Sequence, residues 1–299
     1  MSGTGGVINA MARQIGAVLA TAVTVVILGQ SASSGAVTYE PFTTKGSNHM
    51  TEQPVVLITG ALTGIGLATS RLFAAAGARV VVSGRHDDAG TALAAELRTG
   101  RAEAEFIRAD VRYDDELGAL VDGTVERFGR LDIAVNNAGT DAKLGPITGL
   151  TPEVYSASFD TNVLGTLLSL KHELRVMRAQ NSGSIVNLSS IYGQKGFANG
   201  SLYVAGKHAI IGITKSAALE AAPYGVRVNA VGPGPIETAM LNRVTGGNAE
   251  TKAAFLSTVP SGRAGEPEDV AEAIRYISSP QAAYLTGQTI FLDGGMTAV

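Results

Sequence analysis

Residues 55–66 read Val-Val-Leu-Ile-Thr-Gly-Ala-Leu-Thr-Gly-Ile-Gly, and no other stretch restricts the fold so tightly. Val55 to Thr59 is a continuous apolar run, as a strand buried on both faces requires. Gly60, Gly64 and Gly66 follow, and Leu67 to Ala76 then reads as a helix. Strand, glycine-rich turn and helix in that order form a cradle for a pyrophosphate. Glycines let the backbone approach closely, and the helix N-terminus offers free N–H groups and positive partial charge. The spacing is Gly-x3-Gly-x-Gly rather than Gly-x-Gly-x-x-Gly. A plain tight turn could carry the same glycines; the strand–turn–helix context favours a dinucleotide.

The pattern repeats along the chain. Arg79 to Ser83, Ala104 to Ile107, Leu131 to Val135, a fifth run from Ile185, Val226 to Val231 and Gln288 to Leu292 read as strands. Between them lie helical stretches: Asp88 to Gly100, Asp114 to Phe128, Thr151 to about Arg178, the Ala-rich segment through Lys207, and one starting at Glu266. Such alternation specifies an α/β fold with a single Rossmann-type doubly wound parallel sheet of about seven strands and helices on both faces. Residues 238–258 are polar and irregular, with Gly246 and Gly247 as a flexible point, and read as a movable substrate lid.

The chemistry concentrates between Ile185 and Lys207. A buried strand ends in Ser189 and Ser190, and a Gly-rich loop leads to Tyr203 and Lys207 at i, i+4 on one helix face. An ammonium beside a phenol favours the phenolate, so the spacing predicts a lowered Tyr203 pKa. A serine hydroxyl at the strand end can hold a substrate oxygen near that phenol, for proton exchange with a carbonyl or alcohol. Tyr-x3-Lys alone also decorates ordinary helix surfaces, and Ser190 alone also suits a loop cap. At the end of the second strand, where an acidic residue would favour NAD, stand Gly84 and Arg85. Arg85 can pair with a 2′-phosphate, favouring NADP with NAD as the alternative, or simply be solvated. Asp110 can meet an adenine amine or cap the following helix. Asn136-Asn-Ala-Gly139 suits a backbone passing close to a cofactor. Asn162 sits within a helix, where asparagine is locally unfavourable, and fits a special role or a buried structural one.

Composition excludes several classes. The chain has 299 residues, net charge −3 and no cysteine, which rules out thiolate chemistry and cysteine metal sites. Near-neutral charge gives no electrostatic reason to expect nucleic acid. The four histidines are scattered, without metal-ligand spacing. Residues 1–49 differ from the rest and are expected to be a leader: disordered, a mis-assigned start before Met50, or a signal or anchor through residues 11–33. Without an anchor the protein is expected to be cytoplasmic, with no membrane partner. Residues 50–299 form the dinucleotide-binding domain.

Five motifs agree in identity and order: Thr59-Gly60-x3-Gly64-x-Gly66, Asn136-Asn-Ala-Gly139, Ser190, Tyr203-x3-Lys207 and Pro233-Gly234. Over about residues 54–297 the chain resembles the short-chain dehydrogenase/reductases, and among them the 3-oxoacyl-thioester reductases and cyclic-alcohol or sugar dehydrogenases. The resemblance implies a strand order 3-2-1-4-5-6-7 and hydride transfer between NADP(H) or NAD(H) and a secondary alcohol or ketone. It implies Tyr203 as acid/base, Lys207 lowering its pKa and holding the nicotinamide ribose, Ser190 orienting the substrate oxygen, and Asn162 supporting a water chain to the lysine. Gly60, Thr63, Gly64, Ile65 and Gly66 would line the pyrophosphate. Asp110, Val111 and Asn136 would lie along the adenosine, with Ala138 and Gly139 close by. Pro233, Ile236 and Thr238 would hold the carboxamide and diphosphate. Thr63 stands where NADP users of the family often carry a basic residue, which keeps NAD open. A carrier-bound thioester would want a basic rim, which Arg175 and Arg178 could supply. A homotetramer is implied, with the Ala-rich helix and Gly294-Gly295 permitting close approach. The alternative is a non-catalytic dinucleotide-binding or regulatory protein on the same fold.

Overall fold

The structure, a computed structural model, describes residues 53–298 with the exception of 101. The readings made for residues 1–49 lie outside the described residues. The sheet has seven strands, all parallel: β1 Val55–Thr59, β2 Arg79–Gly84, β3 Ala104–Arg108, β4 Ile133–Asn136, β5 Gly183–Leu188, β6 Val226–Pro233 and β7 Thr289–Leu292. Their order is β3-β2-β1-β4-β5-β6-β7, so the winding reverses between β1 and β4. In open parallel sheets the crevice at that reversal, beyond the carboxyl ends of the strands, is where ligands bind.

Successive side chains of a strand point to opposite faces, and the core divides accordingly. Val56 and Ile58 of β1 join Phe73, Leu93, Val270 and Ile274 on one face; these come from α1 (Gly64–Ala75), α2 (Asp87–Thr99) and a late helix, Pro267–Ser278. Val55 and Leu57 join Leu117, Leu120, Leu170 and Ala217 on the other, from α3 (Asp114–Phe128), Gly165–Gln180 and Ser201–Ala221. The side chains of β1 from Val55 to Ile58 are at most 1% exposed, and burying each contributes about 1.5–3 kcal/mol. Small residues set helix–sheet distances: a Cβ on Gly165 would lie 2.7 Å from Val111.

Two stretches differ from the sequence reading. The helix expected from Thr151 to Arg178 is α4 (Pro152–Phe159) and α5 (Gly165–Gln180), joined through a π-helical turn at Asp160–Leu164. Asn162 sits in that turn, so its poor helix propensity meets a local widening of the helix. The Tyr203 helix, α6, spans Ser201–Ala221. Residues 238–258, read as irregular, contain two short helices, α7 (Ala239–Val244) and α8 (Ala249–Leu256), separated by Gly246 and Gly247 at φ of 65° and 67°. Pro267–Ser278, α9, completes the helices, with a capping box between Glu266 and Asp269.

Candidate active site

The glycine turn after β1 is shaped by backbone. Gly60 and Gly64 have φ of 62° and 53°, the left-handed region that disfavours side chains. A Cβ on Gly66 would lie 2.3 Å from the Gly60 carbonyl oxygen, so only glycine fits there. Thr63 takes the N-cap position of α1 without a side-chain cap, and the first turn holds no acidic residue. The first N–H groups of α1 therefore keep their positive end open toward the crevice, which fits a pyrophosphate.

The loop after β4 is pinned to this turn. Asn137 donates to the carbonyls of Thr59 (3.1 Å) and Gly60 (2.8 Å), and Ala138 N–H donates to the Thr59 hydroxyl at 3.3 Å. Asn137 was not singled out in the sequence; strand alternation was the signal, because its neighbour Asn136 points the opposite way. The Asn136 side chain is buried and donates to Glu173 (3.0 Å) and Asn187 (2.9 Å). Asn136 was expected along the adenosine, but its amide is committed to this interior network, which continues from Asn187 to the Thr214 hydroxyl. Burial pushes the Glu173 carboxyl up to about 7, with the Asn136 hydrogen bond opposing it. Asn162 forms a reciprocal pair with Thr140, accepting from its N–H at 2.8 Å and donating to its carbonyl at 2.9 Å. The far end of the loop is thereby fixed to the π-turn. Gly139 lies between them: a Cβ there would stand 3.1 Å from Asn162 Oδ1 and 3.8 Å from Lys207 Nζ.

Ser190 follows β5. Its hydroxyl accepts from Tyr192 N–H (3.2 Å), so it does cap the 3₁₀ turn Ile191–Gly193 while also lining the main cavity. Ser189 donates to the Lys207 carbonyl at 2.9 Å and ties the strand to α6. Tyr203 and Lys207 share a face of α6, as their spacing requires. The Lys207 ammonium is 5.6 Å from the Tyr203 ring centroid and donates to the Leu188 carbonyl at 2.9 Å. In the cofactor-free protein burial works against the fall expected for the phenol. Burial pushes Tyr203 up to about 12; Ser190 opposes the rise, and the Asp141 carboxylate and Tyr192 add to it. Burial pushes Lys207 down to about 8.

Ser190, Tyr203 and Lys207 open onto one cavity of about 520 Å³, together with Ile65, Gly139, Pro233, Ile236 and Thr238. Much of its remaining wall is apolar: Leu144, Ile191, Phe197, Met240, Val244 and Phe255. Asp141 and Arg243, also unremarked in the sequence, line it and pair with each other.

Of the residues expected at the adenosine end, Arg85 and Asp110 come close enough for the guanidinium to favour the Asp110 carboxylate. Arg85, at the end of β2, is exposed and makes no ion pair or side-chain hydrogen bond with the described residues. Asp110 is buried but held by the Arg112 guanidinium at 2.6 Å, and that bond leads the lowering of its pKa. It does not cap α3, whose N-cap is Tyr113. Val111 turns its side chain into the core against Gly165. Arg175 and Arg178 do not line this cavity and behave as helix-end residues: Arg175 pairs with Asp122, and Arg178 donates to the Tyr224 hydroxyl at 2.7 Å. Gly294 and Gly295, expected at a subunit contact, pack against Ser261 and Pro260 of their own chain.

Residues 60–297 match the family model described as Enoyl-(Acyl carrier protein) reductase. Among curated proteins, the chain is 40% identical over 245 residues to the cis-4-hydroxycyclohexanecarboxylate dehydrogenase of Sinomonas cyclohexanicum, covering 82% of this chain and 97% of that one. It is also 40% identical over 244 residues to the 3-oxoacyl-[acyl-carrier-protein] reductase of Synechocystis sp., covering 81% and 96%. Among solved structures, an actinorhodin polyketide ketoreductase with NADPH superposes with a TM-score of 0.79 at 35% identity, covering 83% of this chain and 98% of that one.

Proposed function

The chain belongs to the short-chain dehydrogenase/reductase family and is an NAD(P)-dependent oxidoreductase acting on CH–OH or C=O groups; we propose that its substrate is a compact, largely apolar secondary alcohol or ketone and its cofactor NADP. The observation that carries this reading is the meeting of Ser190, Tyr203 and Lys207 in one cavity whose remaining wall is mostly apolar. A bound nicotinamide supplies or accepts the hydride. Ser190 Oγ holds the substrate oxygen, and Tyr203 Oη exchanges the proton with it. In the cofactor-free protein the phenol is neutral at physiological pH, the form that donates a proton to a ketone oxygen. Lys207 and Asn162 support the ribose side of the site, and the open α1 N-terminus suits the pyrophosphate.

Arg85 supports NADP over NAD, since an unpaired guanidinium at the end of β2 suits a 2′-phosphate. The relative acting on a hydroxycyclohexanecarboxylate supports a ring-sized substrate. Without Arg175 and Arg178 near the cavity, a carrier-bound thioester has less support. A homotetramer is in keeping with exposed apolar residues on the helices, Leu167 on α5 (49% exposed) and Leu219 on α6 (79%). Among the described residues no helix is long and apolar enough to cross a membrane, and dependence on a nicotinamide cofactor suits a cytoplasmic location.

Turnover of cyclic secondary alcohols and ketones with NADP(H) and NAD(H), by wild type and Tyr203→Phe, tests the proposal. Wild type should turn over ring-sized substrates, preferring NADP(H). The phenylalanine variant should lose at least about 10²–10⁴-fold in kcat, with cofactor affinity near wild type. Near-normal turnover in Tyr203→Phe would refute the role of the phenol, and a preference for NAD would overturn the cofactor assignment.

A further inference from the structure

Residues 238–258 meet the opposite wall of the cavity through one ionic contact. Arg243, in α7, sets its guanidinium against Asp141 in the loop after β4, with Nε–Oδ2 at 3.0 Å and Nη2–Oδ1 at 3.4 Å. Both side chains line the cavity that holds Ser190 and Tyr203. The other ion pair of this segment, Lys252 with Glu237, ties α8 to the segment's own stem. Among the described residues, Asp141–Arg243 is thus the salt bridge joining the segment to the β4 loop.

The two sides of that contact differ in stiffness. Asp141 follows Thr140, whose N–H and carbonyl are both bonded to the buried Asn162. Arg243 stands on a helix of six residues. Gly246 and Gly247 follow it at positive φ, and a Cβ on either would meet nothing within 4 Å. A fixed acceptor therefore faces a donor on a short helix that is seated by the buried Leu241 and Thr245 and followed by two glycines in open space.

We propose that Asp141 and Arg243 are positioning residues for the reaction: their ion pair latches residues 238–258 over the cavity and, through the same contact, screens a carboxylate charge from the proton donor. The second half rests on the reading of Tyr203 as that donor. The charged and titratable groups facing Tyr203 are Lys207 from its own helix, Tyr192 from the turn after β5, and Asp141 from the β4 loop, with Arg243 behind Asp141. The Asp141 carboxylate disfavours the phenolate. A bound guanidinium offsets that field while the segment is closed, and an open segment leaves it unopposed.

The test uses the full chain with Asp141→Asn, Arg243→Gln, the double variant, and the charge exchange Asp141→Arg with Arg243→Asp. Hydrogen–deuterium exchange over residues 238–258 needs no substrate. Each single variant should speed exchange there about two- to fivefold, in line with an exposed ion pair. The double variant should add nothing further, and the charge exchange should return exchange toward wild type. The pH midpoint of alcohol oxidation is the second readout. It should move to lower pH in Asp141→Asn and to higher pH in Arg243→Gln, opposite signs that a purely structural contact would not produce. The latch is overturned if exchange is unchanged or the two effects add. The screening is overturned if the midpoints stay put or move together. Loss confined to anionic substrates in Arg243→Gln would make Arg243 a substrate reader and overturn the proposal. If wild type turns over no secondary alcohol, the functional reading fails, while the exchange data still decide the latch.

Discussion

Replacing Lys207 by methionine should make the cofactor-free protein more stable while destroying its activity. Lys207 is 7% exposed, and its ammonium has the Leu188 carbonyl as its side-chain hydrogen-bond acceptor among the described residues. Burial moves its pKa from the ordinary 10.5 down to about 8. The folded protein thus binds this proton more weakly than the unfolded chain does. The group's contribution to stability is full above the unfolded value and is lost as pH falls through about 8. A displacement of that size is on the order of 3 kcal/mol against folding at neutral pH. Methionine keeps the length and flexibility of the chain without the charge. It leaves the Leu188 carbonyl without this donor, which costs about 1 kcal/mol. The net gain at pH 7 is therefore about 2 kcal/mol, or about 4–8 °C in Tm for a domain of this size. The gain should shrink as pH rises from about 8, change sign at about pH 10, where the burial penalty has fallen to the size of the lost hydrogen bond, and leave only that lost bond by about pH 11. Thermal and urea melts of both proteins at fixed concentration, across about pH 6–11 without cofactor, measure it. A methionine variant less stable at pH 7, or a stability difference flat with pH, would refute the argument. Confirmation would place Lys207 among residues kept for function at the expense of stability.

Two further substitutions probe the cofactor site. Arg85→Ala should weaken NADP binding by about 1.5–3 kcal/mol, as for a charge-assisted hydrogen bond, and barely change NAD binding; titrations with both cofactors read this, and equal losses would make Arg85 structural. Gly66→Ala places a methyl 2.3 Å from the Gly60 carbonyl oxygen and 2.5 Å from Asn137 Nδ2. It should destabilise by about 1–3 kcal/mol and abolish cofactor binding, checked by melts and a cofactor titration; a stable variant with normal affinity would show that the turn yields.

The architecture was legible because runs such as Val55 to Thr59 and Val226 to Val231 admit little besides strands covered on both faces, and parallel order follows from the helices between them. Asn162 was flagged by its poor helix propensity, but the π-turn that accommodates it was not, since a widened turn has no composition of its own. That Asn136 points inward and Asn137 toward the glycine turn depended on where β4 ends, and a shift of one residue reverses the face. Spacing placed Tyr203 and Lys207 together but not their electrostatics. The phenol rises because burial outweighs the Ser190 hydrogen bond, and burial cannot be read from an i, i+4 interval. Asp141 and Arg243 are 102 residues apart in sequence, so no local pattern joined them.

The isolation of Arg85 has a consequence for how such a protein can change over time. It is exposed at the end of β2, two strands away from β4 in the sheet, and packs into neither core cluster. Under the proposed pairing with a 2′-phosphate, a substitution there would change which cofactor the enzyme draws on without disturbing either core cluster. Retuning between the two cofactors would then be an accessible surface step. The proton-transfer groups, embedded between β5 and α6, offer no comparable freedom.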